Sequence, residues 1–112
     1  MLAIIHFLKS IANRMLGYHV FNWGLFADRA RWTIAWSVYC ANKRGSLEIE
    51  IIDFQSALIL VNECNSMPES QGPILPFSKS AQEALRKAWQ YKNRIGDRYF
   101  YTTHLTAILN NS

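Results

Sequence analysis

The chain has 112 residues, half of them hydrophobic, and a formal net charge of +4. That apolar content supports one domain with a modest core and excludes an intrinsically disordered segment. The mild positive charge suits acidic partners, but no Lys/Arg run forms a dense phosphate-binding patch, which speaks against nucleic acid as the main partner. Two cysteines, Cys40 and Cys64, make no disulfide framework, so a reduced, cytoplasmic protein is expected.

At the start of the chain, apolar residues at 4, 5, 8, 11, 12, 15 and 16 form a helical stripe, with His6, Lys9, Ser10, Asn13 and Arg14 elsewhere on the wheel. The segment lacks a basic run before its apolar residues and a small-residue cleavage site, and it is too short to span a bilayer. It reads as a structural amphipathic helix rather than a targeting signal. Gly17 is its stop, and Tyr18–Leu25 is a connector broken by Asn22 and Gly24.

A second helix is predicted from Ala27 to Arg44, with Ala30, Ile34, Val38 and Ala41 on one stripe and Trp32, Trp36 and Tyr39 on another. Gly45 ends it beside Lys43 and Arg44, which suit a helix C-terminus. Leu47–Ile52, LEIEII, alternates as a strand would. Asp53 then caps or opens a helix over Phe54–Glu63. Asn62–Pro76 has the Pro/Gly/Ser/Asn content of a linker. A helix over Ser78–Arg94 follows, stopped by Gly96; then come an extended link at Arg98–Thr102 and a helix over His104–Leu109, capped by Thr102 or Thr103.

These elements occur twice. A shift of 51 positions brings Phe26 onto Phe77, Ala30 onto Ala81, Asn42 onto Asn93 and Gly45 onto Gly96, and pairs Ile34 with Leu85, Ile49 with Phe100, Phe54 with Leu105 and Leu58 with Leu109. A repeat of this length marks a supersecondary unit that buries its apolar face against its neighbour. The repeat argues that Leu47–Ile52 is an extended link and not a strand. The expected fold is therefore all-α in a single domain over 1–112. Residues 1–25 supply the N-terminal helix and connector, 26–63 the first repeat, 64–76 the linker and 77–112 the second repeat, with the two repeats related by a pseudo-two-fold. Where the first copy has Trp32, Trp36 and Tyr39, the second has Glu83, Lys87 and Gln90, so only the first needs burial on two sides.

In the second copy Phe77, Ala81, Ala84, Leu85, Ala88, Gly96, Tyr99, Phe100, Thr102, His104, Leu105, Ile108 and Leu109 fall in step with a known pattern. So does the approach Gly72-Pro73-Ile74-Leu75-Pro76. Phe26, Arg29, Ala30, Ile34, Gly45, Ile49 and Leu58 match it more loosely. The pattern resembles the Clp N-terminal domain, the paired-repeat module at the front of Clp-type AAA+ unfoldases, in a shortened form. The resemblance covers roughly residues 26–63 and 74–110. It implies a non-enzymatic module that binds a protein, whether an adaptor, a substrate or an AAA+ unfoldase subunit, in an unfoldase–protease system, with the groove between the two copies as the expected place of binding. Some members of that family hold phosphorylated arginine with a Thr-Glu pair in each copy. Here those positions are Ile51-Ile52 and Thr102-Thr103, so the acidic readers are absent and phospho-arginine recognition is not expected.

The residues expected to carry protein binding are Trp32, Trp36, Arg86, Trp89, Tyr99 and Thr102. The N-terminal helix is expected to lay Ile4, Leu8, Ile11 and Met15 against Trp32, Trp36 or Tyr39; the rival is a homodimer through those aromatics. No cofactor, metal or catalytic residue is expected. His6, His19, Cys40, Cys64 and His104 show no ligand spacing, and no phosphate-binding glycine loop is present. His104 reads as a helix-start histidine satisfying a backbone partner, Cys40 as a small apolar residue, and Glu48/Glu50 as a solvated pair. Two alternatives of other classes are a membrane-surface or secretion-linked adaptor anchored by the N-terminal helix, and a small basic nucleic-acid binder using Arg86, Lys87, Lys92, Arg94 and Arg98.

Overall fold

The computed structural model describes residues 22–111. The N-terminal helix, its Gly17 stop and the contacts expected of Ile4, Leu8, Ile11 and Met15 lie outside the described residues. Within them the fold is helical: a 3-10 turn at Trp23–Leu25, then α1 (Asp28–Lys43), α2 (Ile51–Cys64), α3 (Lys79–Arg94) and α4 (Thr102–Asn110). Only two isolated bridges, and no strand, are formed among these residues.

α1 and α3 occupy the same positions under the 51-residue shift, and the same chemistry ends them. Gly45 and Gly96 take the left-handed backbone, with φ of 72° and 82°. The N–H of Gly45 donates to Asn42 O and that of Ser46 to Ala41 O; Gly96 and Asp97 repeat both bonds to Asn93 O and Lys92 O. These are two copies of one glycine-terminated helix stop, which returns the last carbonyls to backbone donors. At the other end of α3, Ser78 Oγ accepts the Ala81 N–H at 3.1 Å.

α2 and α4 begin earlier than the sequence pattern indicates, at Ile51 and Thr102. The N-caps are Glu50 and Tyr101, so Asp53, Thr102 and Thr103 are not caps. Asp53 and His104 stand three residues inside the cap and reach back to it. Asp53 Oδ2 accepts the Glu50 N–H at 2.8 Å, and His104 Nδ1 accepts the Tyr101 N–H at 2.9 Å. A side chain at this position satisfies a donor that the first turn leaves unpaired.

The links before α2 and α4 join the copies reciprocally. Phe26 of the first copy bridges Phe100 of the second, and Ile49 of the first bridges Phe77 of the second, both in parallel. The hydrogen bonds correspond one for one. Ala27 N–H donates to Phe100 O at 2.9 Å and Phe100 N–H to Leu25 O at 2.7 Å; Ser78 N–H donates to Ile49 O at 2.8 Å and Ile49 N–H to Pro76 O at 2.7 Å. Of the alternating segment Leu47–Ile52, only Ile49 takes part in a bridge. Ile49 is buried at the bridge, and Leu47, two residues back, is 86 % exposed.

α1 packs chiefly on α2 and α3 on α4, giving two hairpins in contact through α2 with α3, α2 with α4 and α1 with α4. One core joins them. It holds Phe26 with Phe77, Ala30 with Ala81, Ile34 with Leu85, Ile49 with Phe100 and Phe54 with Leu105, each pair matched by the shift. Trp89 stacks on Phe100, centroids 5.7 Å apart, and Phe26 closes the aromatic group at 5.6 Å from Trp89. The linker is tied down by Asn42, whose Nδ2 donates to Gln71 O at 2.9 Å and Pro73 O at 2.7 Å.

Candidate binding groove between the two copies

The six residues singled out from the sequence do not converge. Trp36 is buried on the far side of α1 against Ala57 and Val61, with Trp32, Tyr39 and Leu60 packed around it. Its Nε1 donates to Ser66 O at 2.6 Å. The Trp32–Trp36–Tyr39 stripe is thus covered to a large extent by α2 and the start of the linker, and Trp32 and Tyr39 stay half-buried. Trp89 is 6 % exposed and belongs to the core. Arg86 pairs with Glu83 on the solvent side of α3 at 2.6 Å. Tyr99 is 40 % exposed under the Arg98 guanidinium, 5.6 Å from its ring centroid. Thr102 opens α4, where its carbonyl accepts from Thr106 Oγ1.

An open groove lies elsewhere, where the copies meet. Ile51 comes from the first copy; Ser80, Glu83, Ala84 and Lys87 of α3 and Ile108 and Leu109 of α4 come from the second. Its volume is about 200 Å³. The aliphatic side chains form its walls, and Ser80, Glu83 and Lys87 recur along α3 at helical spacing to make a polar rim. The groove exists because α2 starts at Ile51, which places that side chain opposite α3. None of these seven residues is among those expected from the sequence to carry protein binding, and only Lys87 is singled out for binding at all, as part of the basic run of the nucleic-acid alternative. The legible signal is the exchange of Trp32 and Trp36 for Glu83 and Lys87, which strips aromatic cover from one side of α3.

No protein-family model, no curated protein and no solved structure matches the chain.

Several ionisable groups outside the groove lining serve the scaffold. Asp53, 1 % exposed, accepts two bonds from Arg44, at 2.9 Å from Nε and 2.8 Å from Nη2, and Glu50 takes a further bond from Nη2 at 2.9 Å. Asp53 first and Glu50 second hold the Arg44 charge more firmly than in a free arginine. Glu50 is therefore a partner in an ion-pair network, not one half of a solvated acidic pair.

His104 is 2 % exposed and both ring nitrogens are engaged, Nδ1 with the Tyr101 N–H and Nε2 with Asp97 Oδ2 at 2.7 Å. With Nδ1 accepting, the ring proton sits on Nε2 and is donated to Asp97. That leaves the imidazole no lone pair to act as base toward a thiol. The Cys40 thiol is half-buried, and burial first, the Asp53 charge second, push its pKa up, with Arg44 opposing. A raised thiol is a poor nucleophile.

Lys92 is 3 % exposed. Its ammonium donates to Asn93 Oδ1 at 2.9 Å and Arg98 O at 3.2 Å and lies 4.4 Å from the Trp89 ring centroid. It ties the link after Gly96 to the core. Among the described residues no three His, Cys, Asp or Glu side chains gather as a metal site, and no helix is long and apolar enough to cross a membrane.

Proposed function

We propose that the chain is a non-enzymatic protein-interaction module, a shortened relative in form of the Clp N-terminal domain, which binds an adaptor or substrate protein for an unfoldase–protease system. The observation that carries the reading is the groove built from both copies, with Ile51 of one facing α3 and α4 of the other. A paired-repeat module offers a partner what neither repeat has alone, and the reciprocal bridges hold the two halves of that surface in register, as a pseudo-two-fold between the copies would. The engaged ring of His104 and the salt-bridged Asp53 support a scaffold role for the groups that would otherwise suggest catalysis. Ile52 and Thr103, exposed where the family has its carboxylates, offer no charge to a guanidinium.

The test is co-purification with the full chain and with its rim reversed, Glu83→Lys together with Lys87→Glu. Both positions are exposed, so the fold should survive. The expected result is that an AAA+ unfoldase, its adaptor or its substrate accompanies the wild type and is depleted at least about tenfold by the double variant, a difference of about 1.4 kcal/mol. Equal recovery on both chains, or recovery of no such protein, contradicts the proposal.

A further inference from the structure

The two copies part company where the groove opens, and the contrast identifies what fits there. Under the 51-residue shift Trp36 corresponds to Lys87 and Ala57 to Ile108. In the first copy the Trp36 indole is buried against Ala57, and Leu60 and Val61 of the same helix close over it. In the second, Lys87 and Ile108 line open space. The position that corresponds to Leu60 is Asn111, an exposed polar residue at the C-cap of α4, so no apolar side chain closes over the groove from there. The first copy fills from within, with an indole, the position that the second leaves open.

We infer that the groove receives an aromatic side chain, tryptophan above all, presented by a peptide segment of the partner protein. This rests on the interaction role proposed above and names the chemistry of its ligand. The volume, about 200 Å³, is below the roughly 300–1,000 Å³ of pockets for drug-sized ligands and suits a single large side chain. Ile51, Ala84, Ile108 and Leu109 supply apolar contact for the ring.

The rim adds a charge that favours an aromatic over an aliphatic guest. Glu83 is held by Arg86 at 2.6 Å, while exposed Lys87 has no ion pair among the described residues. An ammonium beside a ring gains a cation–π attraction. The chain makes this pairing elsewhere, with Lys92 over Trp89 and Lys43 over Tyr39. In those cases the ring belongs to the chain; at Lys87 the partner would bring it.

The test is an NMR titration of the methyl-labelled full chain with N-acetyl-tryptophanamide and, separately, N-acetyl-leucinamide. Tryptophanamide should shift the Ile51, Ala84, Ile108 and Leu109 methyls together and saturably, about fivefold tighter than leucinamide. Lys87→Ala should weaken it by about threefold. Lys87→Trp should abolish the shifts by filling the groove from within, with the spectrum of a folded chain retained. If leucinamide binds those methyls as tightly as tryptophanamide, or the Lys87→Trp chain still binds, the aromatic assignment is overturned while the groove as an interaction site stands. If neither amide moves those methyls, the inference and the use of this groove by a partner fall together.

Discussion

Asp53 and His104 hold equivalent positions in the two copies and give one backbone donor an acceptor by different chemistry. Asp53 offers a carboxylate and therefore needs Arg44 beside it; His104 offers the lone pair of Nδ1 and donates a hydrogen bond from its Nε2–H to Asp97. Nitrogen-15 NMR should find His104 in the Nε2–H tautomer. His104→Ala, which leaves the Tyr101 N–H without its acceptor and empties a buried site, should cost about 2–4 kcal/mol in urea unfolding. His104→Asn, whose carbonyl can accept the same bond, should recover part of the loss; a variant as stable as wild type would show that the histidine is dispensable. The histidine as a helix-start, backbone-satisfying residue was legible in the sequence. Its Asp97 partner was not, because Asp97 precedes it by a link whose path depends on the Gly96 turn.

Lys92 supplies a pH test of the same scaffold. Burial pushes its ammonium below the ordinary 10.5, and the Asp97 charge opposes that shift. At neutral pH the proton is held in both folded and unfolded chains, so the cost of burial is fully present. As the pH climbs toward 10.5 the folded chain releases its proton first, and stability attributable to Lys92 rises. Wild type should therefore gain on Lys92→Met between neutral pH and 10.5 when urea midpoints are compared. A gap that stays constant or widens in favour of the variant contradicts this.

At the scale of elements, α1 and α3 were readable nearly to the residue, because a stripe of small and branched residues runs into a glycine that follows a Lys and an Arg within four positions. Those glycines give an unusually clean prediction. A Cβ added at Gly45 or Gly96 would meet nothing within 4 Å, so the cost of Gly→Ala there is backbone strain alone. Each substitution should cost about 1–2 kcal/mol in urea unfolding, and Asn, which tolerates the left-handed region better, should cost less. Ala and Asn equal to Gly at both positions would contradict the geometry. The starts of α2 and α4 were harder to read. Ile51-Ile52 continues the alternation of LEIEII, and Glu50 and Tyr101 are not among the usual capping residues. The helix is stabilised there from position N3, and the acceptor is Asp in one copy and His in the other, so no shared letter marks it.

At the scale of the molecule, the duplication in the sequence becomes a pair of reciprocal bridges, and their symmetry is broken at the indole-filled side of α1 and the open side of α3. A binding groove between the copies was expected, but its lining could not be read in advance because Ile51 lies more than twenty-five residues before Ser80, the nearest other lining residue in the chain. Only the packing of α2 on α3 sets their separation. Loss of aromatic cover at Glu83 and Lys87 was visible, but as a solvated helix face. A partner protein that enters this groove must pass close to Lys87. Photo-crosslinking tests this most directly, with benzoylphenylalanine placed at Lys87 and, as control, at exposed Glu63 outside the groove. The Lys87 position should capture an unfoldase subunit, its adaptor or its substrate, and the Glu63 position should not. Identical adducts from both positions, or none from Lys87, would contradict entry into the groove.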